Sequence, residues 1–136
     1  MSVNTNILSS SKSPFFSVLI PTRNRPNLTS DLINSVLSQS FSDFELIVAD
    51  NSSDEETQTI IGNIADPRLV NLKTGGLNMA ENWEKGIRAC SGSYLLLFSD
   101  KMVLKEGSLE YLASYINRYS PDCVNWDIDS FFDNEL

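Results

Sequence analysis

Three short polar segments carry the side chains of this sequence that could bind a ligand, and each directly follows an apolar run. They are residues 21–25 (PTRNR), 50–53 (DNSS) and 99–100 (SD). Taken singly, each segment also fits an ordinary turn or a helix start. The chain contains no histidine, which removes the commonest general base and metal ligand. The chemistry open to these segments is therefore binding through carboxylate, guanidinium, amide and hydroxyl groups.

The elements that must position these segments form an alternating series. From Phe15 onward, short apolar runs alternate with stretches of helical periodicity, which is typical of βαβ units and a mainly parallel sheet flanked by helices. Strands are predicted at 16–20, 44–49, 68–72, 94–98 and 123–126, and the apolar faces of helices at 28–37, 60–64, 79–87 and 109–116. In an open parallel sheet, ligands bind outside the carboxyl ends of the strands. The three polar segments are therefore expected to cluster in space.

Several local patterns predict details of this α/β fold. The first strand is apolar apart from Ser17 and should lie centrally. Ser53-Asp54-Glu55-Glu56 has the form of a capping box at a helix start. Met79, Trp83 and Ile87 repeat every four residues, which predicts a helix, and Met79 and Trp83 are expected to pack in the core. Cys90 and Cys123 lack zinc or redox spacing and are expected to be small core residues.

Size and composition indicate one domain with an acidic surface. The chain has 136 residues and a formal net charge of -8, which disfavours nucleic acid as a partner. Residues 1–13 are mostly polar and are expected to form a flexible tail, followed by a domain at 14–136. No secretory leader pattern and no apolar run long enough for a transmembrane segment is present. We therefore expect a cytoplasmic protein.

The order of the motifs resembles family 2 glycosyltransferases. The resemblance begins with PTRNR at 21–25, continues through SVLSQSF at 35–41 and FELIVADNSS at 44–53, and resumes from Gly75-Gly76 to Phe98-Ser99-Asp100. Each motif is weak alone, but their order along about a hundred residues is specific. The resemblance implies a GT-A, Rossmann-like fold that binds a nucleoside diphosphate sugar, by family habit a UDP-sugar. It implies transfer of a glycosyl group to an unknown acceptor, as in polysaccharide biosynthesis.

The resemblance also assigns site residues. It places the nucleotide against Pro21, Thr22, Arg23, Asn24, Arg25, Asp50, Asn51, Asn82 and Ser99. Ionised aspartate can only accept hydrogen bonds, so Asp50 suits the N–H of a uracil-like base. Asp100 is the residue implied as a ligand of a divalent cation, Mg²⁺ or Mn²⁺.

The sequence departs from the family pattern in two places. The usual Asp-x-Asp element is reduced to Asp100, followed by Lys101 and Met102, which predicts weak or absent cation binding. Lys101 is the alternative contact for the phosphates. Fewer than forty residues follow Asp100, so the fold is expected to be truncated after the donor-binding half. The acidic residues from Asp127 to Glu135 offer no distinguishable catalytic base.

Three other interpretations remain beside a hexosyl-transferring enzyme. The chain could bind a nucleotide without chemistry and be inactive alone. It could be a protein-interaction module, since an open sheet edge or an apolar patch would allow a homodimer. A dinucleotide-binding Rossmann domain is disfavoured, because no Gly-x-Gly-x-x-Gly follows Ile20.

Overall fold

The computed structural model describes residues 12–130, and strands and helices alternate along them. In chain order the elements are β1 (Phe16–Thr22), α1 (Pro26–Leu37), β2 (Phe44–Asp50), α2 (Glu56–Gly62), β3 (Leu69–Lys73), α3 (Met79–Ala89), β4 (Tyr94–Leu97) and α4 (Ser108–Tyr119). The four strands form one sheet in the order β3-β2-β1-β4, and all three neighbouring pairs are parallel. The predicted α/β architecture with a parallel sheet is confirmed, and so is the central place of the first strand.

The two faces of the sheet are covered unequally. One face carries Val18 and Ile20 of β1 and packs against α1, α2 and α4 in the larger of two apolar clusters. The other face carries a small cluster of Leu19, Ile47 and Ala49, which α3 covers. The central strands are therefore buried on both sides, which explains why their sequences are largely apolar rather than alternating.

Helix α3 packs on the sheet through an asparagine and a glycine. Its buried residues are Asn82 and Gly86, and a methyl group added at Gly86 would lie 2.5 Å from Cδ1 of Leu19. The prediction that Met79 and Trp83 pack in the core was wrong, because Met79 is 72% exposed and Trp83 38%. Ile87 of the same helix is 45% exposed. The close approach of helix and sheet needs a residue without a side chain, so the bulky residues face outward.

The capping box predicted at the start of one helix is found at the start of another. Helix α2 begins at Glu56 without a side-chain cap, and the capping box predicted at Ser53–Glu56 is not formed because the Ser53 hydroxyl is bonded to Asn24. Instead, a capping box starts α3. There the Asn78 side chain accepts from the Glu81 N–H, and the Glu81 carboxylate accepts from the Asn78 N–H.

The segment after α4 contradicts two predictions. Residues 123–126 form no strand, and Cys123 is exposed rather than buried in the core. The segment is instead held by side chains, with the Trp126 ring 5.8 Å from that of Phe98. Cys90 is half-buried, and burial raises the pKa of its thiol. Of the predicted flexible tail, residues 1–11 lie outside the described residues, as do Asp133 and Glu135 near the other end of the chain.

The turn before β3 is closed by an ion pair. Arg68 donates from Nε to Oδ1 of Asp66 at 3.0 Å and from Nη2 to Oδ2 at 2.8 Å. The same Nη2 donates to the carbonyl oxygen of Leu37, at the end of α1. Hydrogen bonds from the Arg68 side chain and backbone lower the pKa of Asp66 from 3.8 to about 2.

This ion pair predicts an acid-dependent part of stability. A carboxylate whose pKa is depressed in the folded state stabilises the fold above its unfolded pKa of 3.8 and loses that contribution as the pH falls through about 2. We expect Asp66→Asn to lower the free energy of unfolding by about 1 kcal/mol at neutral pH. In acid, the wild type and the variant should be equally stable. Urea unfolding of both proteins at a series of pH values measures it. A difference that stays constant with pH would contradict the prediction.

Candidate functional site

The three polar segments meet at the carboxyl ends of the central strands. Thr22 and Asp50 are register partners at the ends of β1 and β2. Strand β4 ends at Leu97, level with Leu19, and the chain beyond it brings Asp100 to the Thr22 hydroxyl. Between them lies a cleft of about 400 Å³ lined by Pro21, Thr22, Arg23, Arg25, Asn51, Met79, Asn82, Trp83, Phe98, Ser99 and Asp100. The structure thus brings eight of the ten predicted site residues to one cleft. Asn24 and Asp50 are not among those that line it.

The apolar wall of this cleft, formed by Met79 and Trp83, was not predicted from the sequence. Met79 and Trp83 stand on the first turns of α3, beside the buried Asn82. A signal was available, because Asn82 and Gly86 share the same four-residue spacing. A helix with a glycine on one face and a tryptophan on another approaches its sheet most closely through the glycine.

Three asparagines near the cleft tie loops together with their amides. The Asn24 side chain accepts from the Ser53 N–H at 2.9 Å, which joins the first loop to the second. The Asn51 amide donates to the carbonyl of Leu77 and accepts from its N–H, which fixes the turn before α3. These side chains bond to other loops, so they determine the shape of the cleft rather than provide hydrogen bonds to a ligand.

Asn82 makes the third tie, between α3 and the sheet. Its side chain donates to the carbonyl of Ala49 at 3.0 Å and accepts from the Thr74 hydroxyl. It is only 4% exposed. The carboxyl end of β2 is thereby held against the start of α3.

Asp50 is buried and its carboxylate is occupied by neighbouring donors. Oδ1 accepts from the Ser52 N–H at 2.9 Å and from the Ser52 hydroxyl, and Oδ2 accepts from Nε2 of Gln58 at 2.6 Å. Gln58 is only partly buried and also pairs with Asn71. One carboxylate oxygen thus shapes the second loop, and the other meets an amide that borders solvent.

Asp100 is also buried, and both of its oxygens have partners. Oδ1 accepts a hydrogen bond from Nη1 of Arg25 at 2.7 Å, and Oδ2 accepts one from the Thr22 hydroxyl at 2.9 Å. The Thr22 hydroxyl lies 2.7 Å from that of the fully buried Thr29. With Thr22 donating to the carboxylate, Thr29 supplies the donor to Thr22. A chain of two threonines therefore fixes Asp100 from the interior, and Arg25 caps it from the cleft.

This arrangement does not fit a divalent cation well. Mg²⁺ and Mn²⁺ favour oxygen ligands, usually more than one from the protein or the substrate. Within residues 12–130, no group of three or more acidic, histidine or cysteine side chains is placed to hold a metal. The one carboxylate in the cleft is already paired with a cation, Arg25. Lys101 does not line this cleft and instead borders a cavity along residues 126–130.

Comparison with known proteins decides the family. The model of the family described as glycosyl transferase family 2 matches residues 17–136. The chain belongs to glycosyl transferase family 2. The cleft therefore occupies the carboxyl edge of a family 2 domain, at the position where the sequence resemblance implied a nucleotide site.

Curated relatives agree with this membership. The chain is 31% identical over 108 residues to a Campylobacter jejuni GalNAc(5)-diNAcBac-PP-undecaprenol beta-1,3-glucosyltransferase, covering 76% of this chain and 35% of that protein. It is 30% identical over 121 residues to a Mycobacterium tuberculosis PGL/p-HBAD biosynthesis glycosyltransferase, covering 85% of this chain and 47% of the relative. The chain thus spans between a third and a half of the length of these family 2 relatives.

Solved structures show that the fold is GT-A. Residues 1–349 of S. aureus TarS, in complex with UDP-GlcNAc, match with a TM-score of 0.67 and 24% identity, covering 77% of this chain and 32% of that one. A Pyrobaculum calidifontis mannosyltransferase, in complex with GDP-Man and Mn²⁺, matches with a TM-score of 0.65 and 18% identity, covering 78% and 33%. No helix within residues 12–130 has the length and apolar character needed to cross a membrane.

Proposed function

We propose that this family 2 domain binds a nucleoside diphosphate sugar, a UDP-sugar by expectation, for glycosyl transfer to an acceptor. The observation that carries the proposal is the cleft at the carboxyl ends of β1, β2 and β4. It combines the cations Arg23 and Arg25 with an apolar wall of Met79 and Trp83. A nucleoside diphosphate needs both features, since its phosphates are anionic and its base has flat apolar faces.

The charges in the cleft support binding of an anion. The whole chain carries a net charge of -8, yet two arginines and one carboxylate line this cleft. Asp100 is matched by Arg25, and Arg23 has no ion-pair or hydrogen-bond partner among the described residues. Arg23 is therefore an unpaired cation that can attract a diphosphate to this cleft, although the net charge of the whole chain would repel one.

The assignment of Asp50 to the base belongs to the same proposal. Its outer oxygen accepts from the Gln58 amide, which is the donor type that the imide N–H of uracil would supply. Displacement of Gln58 by the base would exchange one N–H donor for another at the same oxygen. Such an exchange leaves no buried carboxylate oxygen unsatisfied, so it avoids the usual cost of breaking a buried hydrogen bond.

The proposal also covers the divalent cation and the cellular location. A divalent cation, bound in one structural neighbour, would contribute weakly at most here, because Asp100 is the one carboxylate in the cleft that could hold it and is paired with Arg25. The proposed location is the cytoplasm, where the free thiols of Cys90 and Cys123 would persist.

A second candidate function is protein interaction without catalysis. Leu95 and Leu97 of β4 are 44% and 36% exposed, and no strand within residues 12–130 pairs with the outer edge of β4. Ile87 of α3 adds a further exposed apolar side chain. Exposed apolar residues beside an open edge are typical of a surface that another polypeptide covers, a second copy included.

Tryptophan fluorescence distinguishes the two functions. The chain has two tryptophans, of which Trp83 lines the cleft and Trp126 lies elsewhere. In Trp126→Phe, titration with UDP or GDP should therefore change the emission of Trp83, and calorimetry should give the same dissociation constant. Release of UDP or GDP from the matching nucleotide sugar would then test for chemistry. No response to either nucleotide by both methods would contradict the donor-binding proposal and favour interaction.

A further inference from the structure

The Arg25–Asp100 ion pair is arranged to hold a guanidinium at the cleft rather than to bind a metal ion. Asp100 is 3% exposed, and its inner oxygen is committed to the Thr22 hydroxyl. Its outer oxygen holds Nη1 of Arg25, whose side chain remains 43% exposed. A buried carboxylate thus anchors one end of a guanidinium whose remaining surface faces the cleft.

The geometry leaves Arg25 with donors to spare. A guanidinium carries five N–H groups in a planar fork, and the bond to Asp100 uses the Nη1 end. The remaining N–H groups match the oxygens of a phosphate, which guanidinium binds in bidentate fashion. Arg25 does not have to leave Asp100 in order to contact an anion. The buried carboxylate therefore keeps its counter-charge throughout, which avoids the cost of an unpaired buried ion.

We propose that Arg25, held in place by Asp100, neutralises the diphosphate of the donor in the role that the family gives to a divalent cation. Arg25 is then a binding residue and Asp100 its positioning residue. Donor binding is accordingly independent of divalent cations. This inference rests on the proposed function, because it presupposes that a nucleoside diphosphate occupies the cleft.

The test compares nucleotides with and without the diphosphate. Dissociation constants are measured by calorimetry for UDP, uridine, GDP and guanosine, each in EDTA and in Mn²⁺. For wild type we expect diphosphate binding in EDTA and less than about threefold tightening with Mn²⁺. For Arg25→Ala we expect diphosphate affinity in EDTA to fall on the order of tenfold to a hundredfold, with nucleoside affinity unchanged. Arg118→Ala removes the same charge on α4 and should change neither affinity.

Positioning by Asp100 is tested by coupling. Asp100→Asn keeps the shape of the side chain and removes its charge, so Arg25 loses its anchor and diphosphate affinity falls in EDTA. When Arg25→Ala is already present, adding Asp100→Asn should not lower diphosphate affinity further. If Asp100 had a merely structural role, the second substitution would lower the affinity in both backgrounds. Arg25→Gln retains a donor for Asp100 without charge and guards against a folding defect in the alanine variant. It should bind diphosphate as weakly as Arg25→Ala.

The remaining outcomes separate the two proposals. Diphosphate binding that requires Mn²⁺, is abolished by Asp100→Asn and survives Arg25→Ala would overturn the role of Arg25 and leave the donor site standing. If wild type bound none of the four compounds in either condition, the donor site itself would be wrong, and the role of Arg25 would fall with it.

Discussion

Asp50→Asn should lower the affinity of this domain for UDP on the order of tenfold to a hundredfold without unfolding it. The amide keeps one oxygen for Ser52, which bonds to Oδ1 in the wild type through both its N–H and its hydroxyl. It replaces the outer oxygen, which now accepts from Gln58, with a donor. An imide N–H of the base would then face an N–H instead of an acceptor, so the base loses its partner and the loop keeps its shape.

A neighbouring aspartate supplies the control for this substitution. Asp54 lies in the same loop, is exposed, and accepts a hydrogen bond from the Glu56 N–H at the start of α2. Asp54→Asn makes the same change of charge and volume and should leave UDP affinity within about twofold. Calorimetric titration measures both affinities, and thermal unfolding checks that both variants are folded. Equal losses in the two variants would mean that loop charge, not contact with the base, governs binding.

The sequence predicted the position of the cleft well because strand ends are easy to read. Largely apolar runs such as 16–20 and 44–49 mark strands buried on both faces, and the polar segment after each run marks the carboxyl end. In a parallel sheet these ends share an edge, so no tertiary information was needed to gather Arg25, Asn51 and Asp100. The convergence follows from topology alone.

The partners of each side chain were beyond the sequence because they come from distant segments. Arg25 meets Asp100 across 75 residues, and no periodicity connects the two. Gln58 reaches Asp50 only because α2 starts beside the end of β2. The exposure of Trp83 had the same origin, since it depends on which face of α3 comes closest to the sheet. Local patterns specify elements, whereas the closest approach between elements decides which residues they bury.

The amino end of the sheet has such a close approach at Gly92, and it predicts the largest effect on stability. A methyl group at this position would lie 2.5 Å from the Ser17 nitrogen and 2.7 Å from the Phe16 carbonyl carbon. Both atoms belong to the backbone of the central strand, so neither can rotate away. The Gly92 N–H also donates to Oγ of Ser17 at 2.7 Å, which ties this turn to β1. Gly92→Ala should therefore destabilise the fold by about 2–3 kcal/mol.

The cost at Gly92 should be steric, and a second glycine separates steric cost from the effect of alanine on the unfolded chain. A methyl group at Gly62, the last residue of α2, would have no atom within 4 Å. Gly62→Ala should then be neutral or slightly stabilising, by up to about 1 kcal/mol, because alanine restricts the unfolded chain and favours the helix. Urea unfolding of both variants measures the two free energies. If they lost stability equally, the tight contact at Gly92 would not be what holds β1 against the turn before β4.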